Sequence, residues 1–176
     1  MNFCSRCSAQ TNLIVPPNDN RLRQVCSQCG EIHYENPKLV VGTVAFYNEK
    51  ILLCRRAIEP RRGKWTLPAG FMELNETTQE GALRETLEEA GATVRPLKLM
   101  AVYDVVTANQ VHLFYLAEMI SENLDPGEES LDAQLFREED IPWSDIAFRS
   151  VEAALRHFLL DRQQGFSMAV DHKVMR

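Results

Sequence analysis

Four of the five cysteines stand as two identical pairs, Cys4-x2-Cys7 and Cys26-x2-Cys29, with 18 residues between the pairs. Two residues between thiolates let a tight turn aim both sulfurs at one ion. Two such turns together supply the closed, tetrahedral four-sulfur set that structural zinc takes. With every position filled by protein, no coordination site remains for substrate, so Zn2+ here is expected to be structural. The competing readings are disulfides, disfavoured in a reducing compartment, and a redox pair, disfavoured by the duplication. His33 lies close in sequence, but the ligand set is full without it. Cys54 sits in the apolar run Ile51-Leu52-Leu53-Cys54 and reads as a buried strand residue.

A second cluster is made of oxygen ligands only. Glu85, Glu88 and Glu89 are spaced i, i+3, i+4, so on a helix they fall within an arc of about 100° and share one face. Oxygen-only donors suit Mg2+ or Mn2+ completed by water and substrate phosphate; the competing reading is a solvated acidic face. The surrounding charge is polarised. Residues 51–70 carry Arg55, Arg56, Arg61, Arg62 and Lys64 against Glu59, a local +4, while residues 71–90 carry six glutamates against Arg84, a local −5. A basic stretch beside an acidic one can hold phosphates and divalent cations together, with Arg55, Arg56, Arg61 and Arg62 as candidate phosphate clamps.

These residues need a frame. Asn36-Pro37 marks a boundary, because the residue before proline is pushed out of helix and the sequence turns strongly β-forming after it. Residues 39–47 and 50–56 read as a hairpin around Asn48-Glu49; residues 97–106 and 111–119 repeat the pattern, and 133–137 adds a short strand. A helix is expected from Thr78 to Ala90, with Gly91 just past its end. A second is expected at about 151–163, capped by Ser150 and striped by Val151, Leu155, Phe158 and Leu159. Mixed strands with two helices imply an α/β sandwich. Domains are expected at 1–35 for the zinc ribbon and 37–165 for the α/β domain, with 166–176 a loosely held tail lacking periodicity.

From Gly70 the chain runs Gly-x5-Glu76-x7-Arg84-Glu85-Thr86-Leu87-Glu88-Glu89-Ala90-Gly91-Ala92, which resembles the Nudix box along its whole length of 23 residues. On this motif the chain is identified as a member of the Nudix hydrolase superfamily. The resemblance implies an α/β/α sandwich with a mixed sheet. It makes Glu85 and Glu89 the main ligands of Mg2+ or Mn2+ and Glu88 a further ligand or proton acceptor. Glu76 becomes the salt-bridge partner that holds Arg84, and the Gly70 carbonyl faces the metal. In such enzymes a base or further acidic ligand often comes from a later loop; Pro126-Gly127-Glu128-Glu129-Ser130 occupies that place, and Glu129 is the candidate. Thr86 departs from the pattern, which usually has a larger aliphatic there, but on a side expected to pack. Trp65, before Leu67-Pro68-Ala69-Gly70, resembles the usual lead-in and is read as packing.

A zinc ribbon followed directly by this box is similar to the plastid FAD and ADP-ribose pyrophosphatases of plants. The likeness runs through Glu31 to Lys38, Trp65 to Gly70, Arg84 to Thr86, Glu88 to Val94, and Pro126 to Leu131 on through Ile141-Pro142. It implies hydrolysis of FAD to FMN and AMP, or of ADP-ribose to AMP and ribose 5-phosphate. The alternative enzyme is an NADH or nucleoside-triphosphate pyrophosphatase; the Ser-Gln-Pro-Trp type signature of the NADH group has no counterpart after Ala92. The alternative of another class is a nucleotide-sensing or RNA-binding regulator.

Composition bounds the partners. The chain has 176 residues, with 19 Lys+Arg against 25 Asp+Glu, a net charge of −6, and 45% hydrophobic residues. That balance lacks the basic footprint of a protein living on nucleic acid or anionic lipid, so neither nucleic acid nor membrane is expected as a partner; the resemblance implies a small nucleoside diphosphate derivative. No apolar run approaches the roughly 20 residues that span a bilayer, and the start has no apolar signal segment. A cytoplasmic location is therefore expected, and a homodimer is possible.

Overall fold

A computed structural model describes all residues, Met1–Arg176, and the chain divides into two compact units, Met1–Asn36 and Pro37–Arg176. No helix is long and apolar enough to cross a membrane.

The first unit is a three-stranded antiparallel sheet in the order β1 (Thr11–Ile14), β2 (Arg23–Cys26), β3 (Ile32–His33). Its buried residues are Cys4, Pro16 and Cys26, while Leu13, Ile14, Val15 and Leu22 are exposed. Such a segment has almost no core of its own. What gathers it is the sulfur cluster, together with ion pairs from Arg6 to Glu31 at 3.1 Å and Arg23 to Asp19 at 2.9 Å.

The second unit is built on one mixed sheet. In chain order the strands are β4 (Lys38–Tyr47), β5 (Lys50–Arg56), β6 (Trp65–Thr66), β7 (Ala69–Phe71), β8 (Val94–Val105), β9 (Gln110–Met119), β10 (Ser130–Phe136) and β11 (Asp171–Met175). The main path runs β10-β5-β4-β9-β8-β11, with β6 on β5 and β7 on β4. β4 pairs parallel with β9, and β8 with β11; the other pairs are antiparallel. Two helices follow, α1 (Thr78–Ala90) and α2 (Arg149–Gln163).

Strand alternation assigns the helices to opposite faces. Val44, Ile51 and Leu53 join Val151, Leu155 and Phe158 of α2 in one core, while their neighbours Ala45, Leu52 and Cys54 join Ala90 of α1 in another. The result is an α/β/α sandwich. Trp65 packs edge-on against Phe136 with ring centroids 4.8 Å apart, within the α2 core.

Two expectations are corrected. Ser150 does not cap α2: the residue at that place is Phe148, which offers no side-chain cap, and Ser150 lies inside the first turn, buried, with its hydroxyl 3.1 Å from His112 Nδ1. A burial that favours the His112 contact outweighs local capping preference. The tail is not loose either. Residues 171–175 form β11 along β8, and Lys98 clamps the approach to it, paired with buried Asp161 at 2.7 Å and donating to the Phe166 and Met168 carbonyls. A five-residue parallel edge strand held by long-range partners has too little periodicity to be read locally.

Candidate active site and metal clusters

α1 is positioned at both ends. Thr77 Oγ1 accepts from the Glu80 N–H at 3.1 Å and Glu80 Oε2 accepts from the Thr77 N–H at 2.7 Å, a reciprocal capping box. At the other end Gly91, with φ of 63°, turns the chain out of the helix while its N–H still reaches the Leu87 carbonyl at 2.8 Å. The Asp125 N–H then donates to the Ala90 carbonyl at 2.8 Å, which brings the loop bearing Glu128 and Glu129 back onto the helix end.

Arg84 organises the acidic face. Its Nε and Nη2 grip both oxygens of Glu76 at 3.0 and 2.9 Å, Nη1 reaches Glu85 at 2.7 Å and Glu88 at 3.0 Å, and Nη2 also donates to the Phe71 carbonyl at 3.1 Å. The fork, together with the Glu73 N–H, holds the Glu76 carboxyl at about 2, well below its ordinary range. All the donors of Arg84 are thus used inside the loop-helix-loop, and the guanidinium serves as its hub.

Gly70 allows close approach. A Cβ there would lie 2.3 Å from Glu85 Oε2, so the carboxylate occupies the space a side chain would fill. Register explains the position: Gly70 on β7 faces Val41 on β4, bringing the strand edge beneath α1.

Glu89 is 7% exposed, and the only hydrogen bond to its carboxylate is from the Ala69 N–H at 3.3 Å. Burial pushes its carboxyl up to about 8, with the Glu85 and Glu129 charges adding and the Arg56 charge opposing. Burial raises Glu85 as well, with Glu88 and Glu129 contributing. Mutual repulsion among four carboxylates, two of them removed from water, is the electrostatic condition a divalent cation relieves. The oxygen-only donor set fits Mg2+ or Mn2+ and not a thiophilic ion.

The carboxylates face a cavity of about 950 Å³ whose walls include Gly70, Phe71, Glu85, Glu88, Glu89 and Glu129. Arg56 and Arg61 line it too, whereas Arg55 and Arg62 do not. Alternation along β5 sends Arg55 to the other face, where its Nε donates to the Gly63 carbonyl at 3.0 Å. Arg56 is anchored to the Pro60 carbonyl at 2.8 Å and lies over the Phe148 ring at 5.1 Å. Sequence reasoning missed the far wall, formed by Gln110, His112, Phe148, Arg149 and Met175. These come from three separate elements, and only the strand pairing brings them together.

In the first unit the Sγ atoms of Cys4, Cys7, Cys26 and Cys29 all lie within 4.8 Å of one another, with closest separations of 3.4, 3.5 and 3.8 Å. A tetrahedron with Zn–S bonds of about 2.3 Å places its sulfurs about 3.8 Å apart, so the cluster fits zinc. Both turns also aim an amide at a sulfur. The Arg6 N–H points to Cys4 Sγ, and the Cys29 and Gln28 N–H groups to Cys26 Sγ, each at 3.4 Å; the latter pair pulls the Cys26 thiol down to about 6. Amides aimed at sulfur favour thiolate, the form that binds metal. Cys54 is buried on β5 and stands apart from this cluster.

Comparison with known proteins covers both units of the chain. The NUDIX domain model matches residues 36–158, and the Nudix N-terminal zinc-ribbon model matches residues 2–35. The NAD-capped RNA hydrolase NudC of Vibrio vulnificus (strain CMCP6) is 28% identical over 145 residues, covering 81% of this chain and 53% of that protein. The ADP-ribose pyrophosphatase of Methanocaldococcus jannaschii is 28% identical over 113 residues, 62% of this chain and 67% of the other. The chain spans about half the length of the NudC proteins it matches. Among solved structures, a NUDIX hydrolase from Nitrosomonas europaea is 46% identical with a TM-score of 0.95 over 99% of both chains. An ADP-ribose pyrophosphatase from Streptococcus suis, 22% identical with a TM-score of 0.63 over 79% of this chain and 99% of its own, shares the fold. A carboxylate-lined box on α1, a four-cysteine ribbon ahead of it and these two family matches have one common reading: the chain belongs to the NUDIX hydrolase family, its NUDIX domain preceded by that family's N-terminal zinc ribbon.

Proposed function

We propose that the chain is a divalent-metal-dependent pyrophosphatase that cleaves the diphosphate of a dinucleotide-type substrate, ADP-ribose to AMP and ribose 5-phosphate or FAD to FMN and AMP. The observation that carries this reading is one cavity walled by Glu85, Glu88, Glu89 and Glu129 and also by Arg56 and Arg61. A diphosphate can bridge the two groups, giving oxygens to the guanidinium groups directly and to the carboxylates through metal. About 950 Å³ lies at the upper end for small-molecule sites, which suits a substrate with two halves.

Glu85 and Glu89 are assigned as the main ligands of Mg2+ or Mn2+, with Glu88 and the Gly70 carbonyl completing the set. A cation held there would neutralise the diphosphate and lower the pKa of a bound water. Arg84 keeps Glu85 and Glu88 aligned, and Arg56 and Arg61 orient the diphosphate. In the hydrolysis the water oxygen bonds to one phosphorus, the bridging P–O bond breaks, and the departing phosphate keeps the bridging oxygen. Glu129 takes the proton that water gives up. Cys4, Cys7, Cys26 and Cys29 hold one structural Zn2+.

Similarity to an ADP-ribose pyrophosphatase supports the first substrate. The likeness to NAD-capped RNA hydrolases favours a second reading, cleavage of an NAD-type diphosphate. The test is a kcat/KM panel over ADP-ribose, FAD, NADH and nucleoside triphosphates with Mg2+ and Mn2+. Preference for ADP-ribose or FAD is expected, and preference for NADH selects the second reading. Absence of metal-dependent AMP release from every dinucleotide ends the proposal. Glu89→Gln and Glu129→Gln are each expected to lower kcat by about 100-fold or more; undiminished release in either sinks that residue's role.

A further inference from the structure

Beside the catalytic cavity lies a second hollow of about 390 Å³ between α2 and β11, and the two share Arg149 and Met175. Its charged lining is Arg149, Arg156 and Lys173 against Glu152 alone. Two of the cations are held in place by neighbours. Arg156 donates twice to Glu152, at 2.9 and 2.8 Å, and lies over the Trp143 ring at 4.4 Å; Lys173 pairs with Asp171 at 2.7 Å.

Arg149 forms no ion pair, though it is the one cation that faces both hollows. Fold stability does not account for it. It is the first residue of α2, the end of a helix least favourable for a cation, and its side chain is exposed. An unpaired guanidinium in a cavity wall, with two fixed cations behind it, is suited to an anion that arrives with the substrate.

Its place relative to the sheet bears on which anion it can meet. Phe71, next to the Gly70 against which the Glu85 carboxylate packs, is aligned through Val40 of β4 with His112 of β9, two strand spacings away, about 10 Å. Ser150, the neighbour of Arg149, contacts His112 at 3.1 Å. Two strand spacings are comparable to the span of one nucleoside, and Arg149 lines the far side of the cavity. The cavity is acidic at its α1 end and basic at its α2 end.

We propose that Arg149, backed by Arg156 and Lys173, receives a second phosphate that the substrate carries on a ribose 2′ or 3′ oxygen, one nucleoside beyond the scissile diphosphate. The inference rests on the diphosphate reading of the cavity. The same chemistry occurs in a 2′-phosphorylated dinucleotide and in the first phosphodiester of a polynucleotide whose 5′ end occupies the cavity. The latter would reverse the expectation, drawn from net charge, that no nucleic acid is bound.

The experiment compares matched pairs on the full chain with Mg2+: ADP-ribose against ADP-ribose 2′-phosphate, NAD against NADP, and NAD against an NAD-capped oligoribonucleotide. The readout is the ratio of kcat/KM within each pair, so losses common to both members cancel. A gain of about tenfold for the phosphorylated member is expected, reduced by added salt and lost in Arg149→Gln. A gain only with the 2′-phosphates identifies a small-molecule ligand, and one only with the capped oligonucleotide identifies RNA. Ratios near one for every pair, or a gain that Arg149→Gln leaves intact, overturn the proposal. Binding of AMP against adenosine 2′,5′- and 3′,5′-bisphosphate, measured by calorimetry, needs no turnover. A bisphosphate advantage with no dinucleotide hydrolysis therefore sinks the pyrophosphatase reading alone, and no advantage sinks the second-phosphate site alone.

Discussion

The hydroxyls of Thr43 on β4 and Thr86 on α1 meet at 2.7 Å, both with no exposed surface. Thr86 gives its own proton to the Ala82 carbonyl, 2.7 Å away, so it accepts from Thr43. The metal-facing helix is thereby fastened to the middle of the sheet through a polar contact, at a position where an aliphatic side chain would fit.

Removing either hydroxyl alone leaves unequal debts. Thr86→Val strands the buried Thr43 hydroxyl and is expected to cost about 1–3 kcal/mol, whereas Thr43→Val leaves Thr86 still bonded to Ala82 and should cost about 1 kcal/mol. The double valine variant restores an apolar contact and should be less destabilised than Thr86→Val. A double-mutant cycle by urea denaturation checks this, and simply additive penalties would show that the pair is not coupled.

Gly70→Ala tests the close approach under the box. Its Cβ would fall 2.3 Å from Glu85 Oε2, so the carboxylate must move while the strand pairing to Val41 can remain. Metal-dependent hydrolysis should fall by about 100-fold, the size expected when a positioned charge is misplaced. The thermal midpoint is the control: activity retained at wild-type level would mean Glu85 has room to adjust.

Much of this site was legible because its pieces are local. The box residues lie on one loop and one helix, so spacing alone placed Glu85, Glu88 and Glu89 on a common face. Arg55 and Arg56 show where local reading stops: adjacent in sequence, they part to opposite faces of β5, and only Arg56 meets the cavity. The short strands β6 and β7, and β11 at the far edge, owe their existence to partners distant in sequence, and so does the wall containing His112 and Arg149. Ser150 looked like a cap because capping is a local rule; its burial against His112 is a tertiary fact.

Zinc should account for the fold of the first unit. With so few apolar residues buried there, metal binding supplies folding energy of roughly 10 kcal/mol or more in ribbon-sized segments. One Zn per chain is expected by elemental analysis, and Cys26→Ser should abolish it. Chelation should also remove amide-exchange protection across residues 11–33. Retained protection after complete removal of zinc would show that the ribbon holds together without it.

His112 gives a pH dependence whose sign can be worked out. Burial holds its imidazole at about 4, below the ordinary 6.5, while its ring nitrogens contact Ser150 and Gln110 at 3.1 and 2.9 Å. Between those values the unfolded chain binds a proton that the folded chain refuses. Protonation therefore favours unfolding: the contribution is fully present above about pH 6.5 and is lost progressively as pH falls toward 4. Other groups titrate in the same range, so the informative quantity is the difference between the wild-type chain and His112→Gln. Glutamine keeps a polar partner for Ser150 but cannot charge. Urea midpoints measured at pH 7.5, 6 and 5 should decline more steeply for the wild-type chain than for the variant. Parallel declines would place the proton uptake elsewhere, and a steeper decline in the variant would reverse the assigned sign.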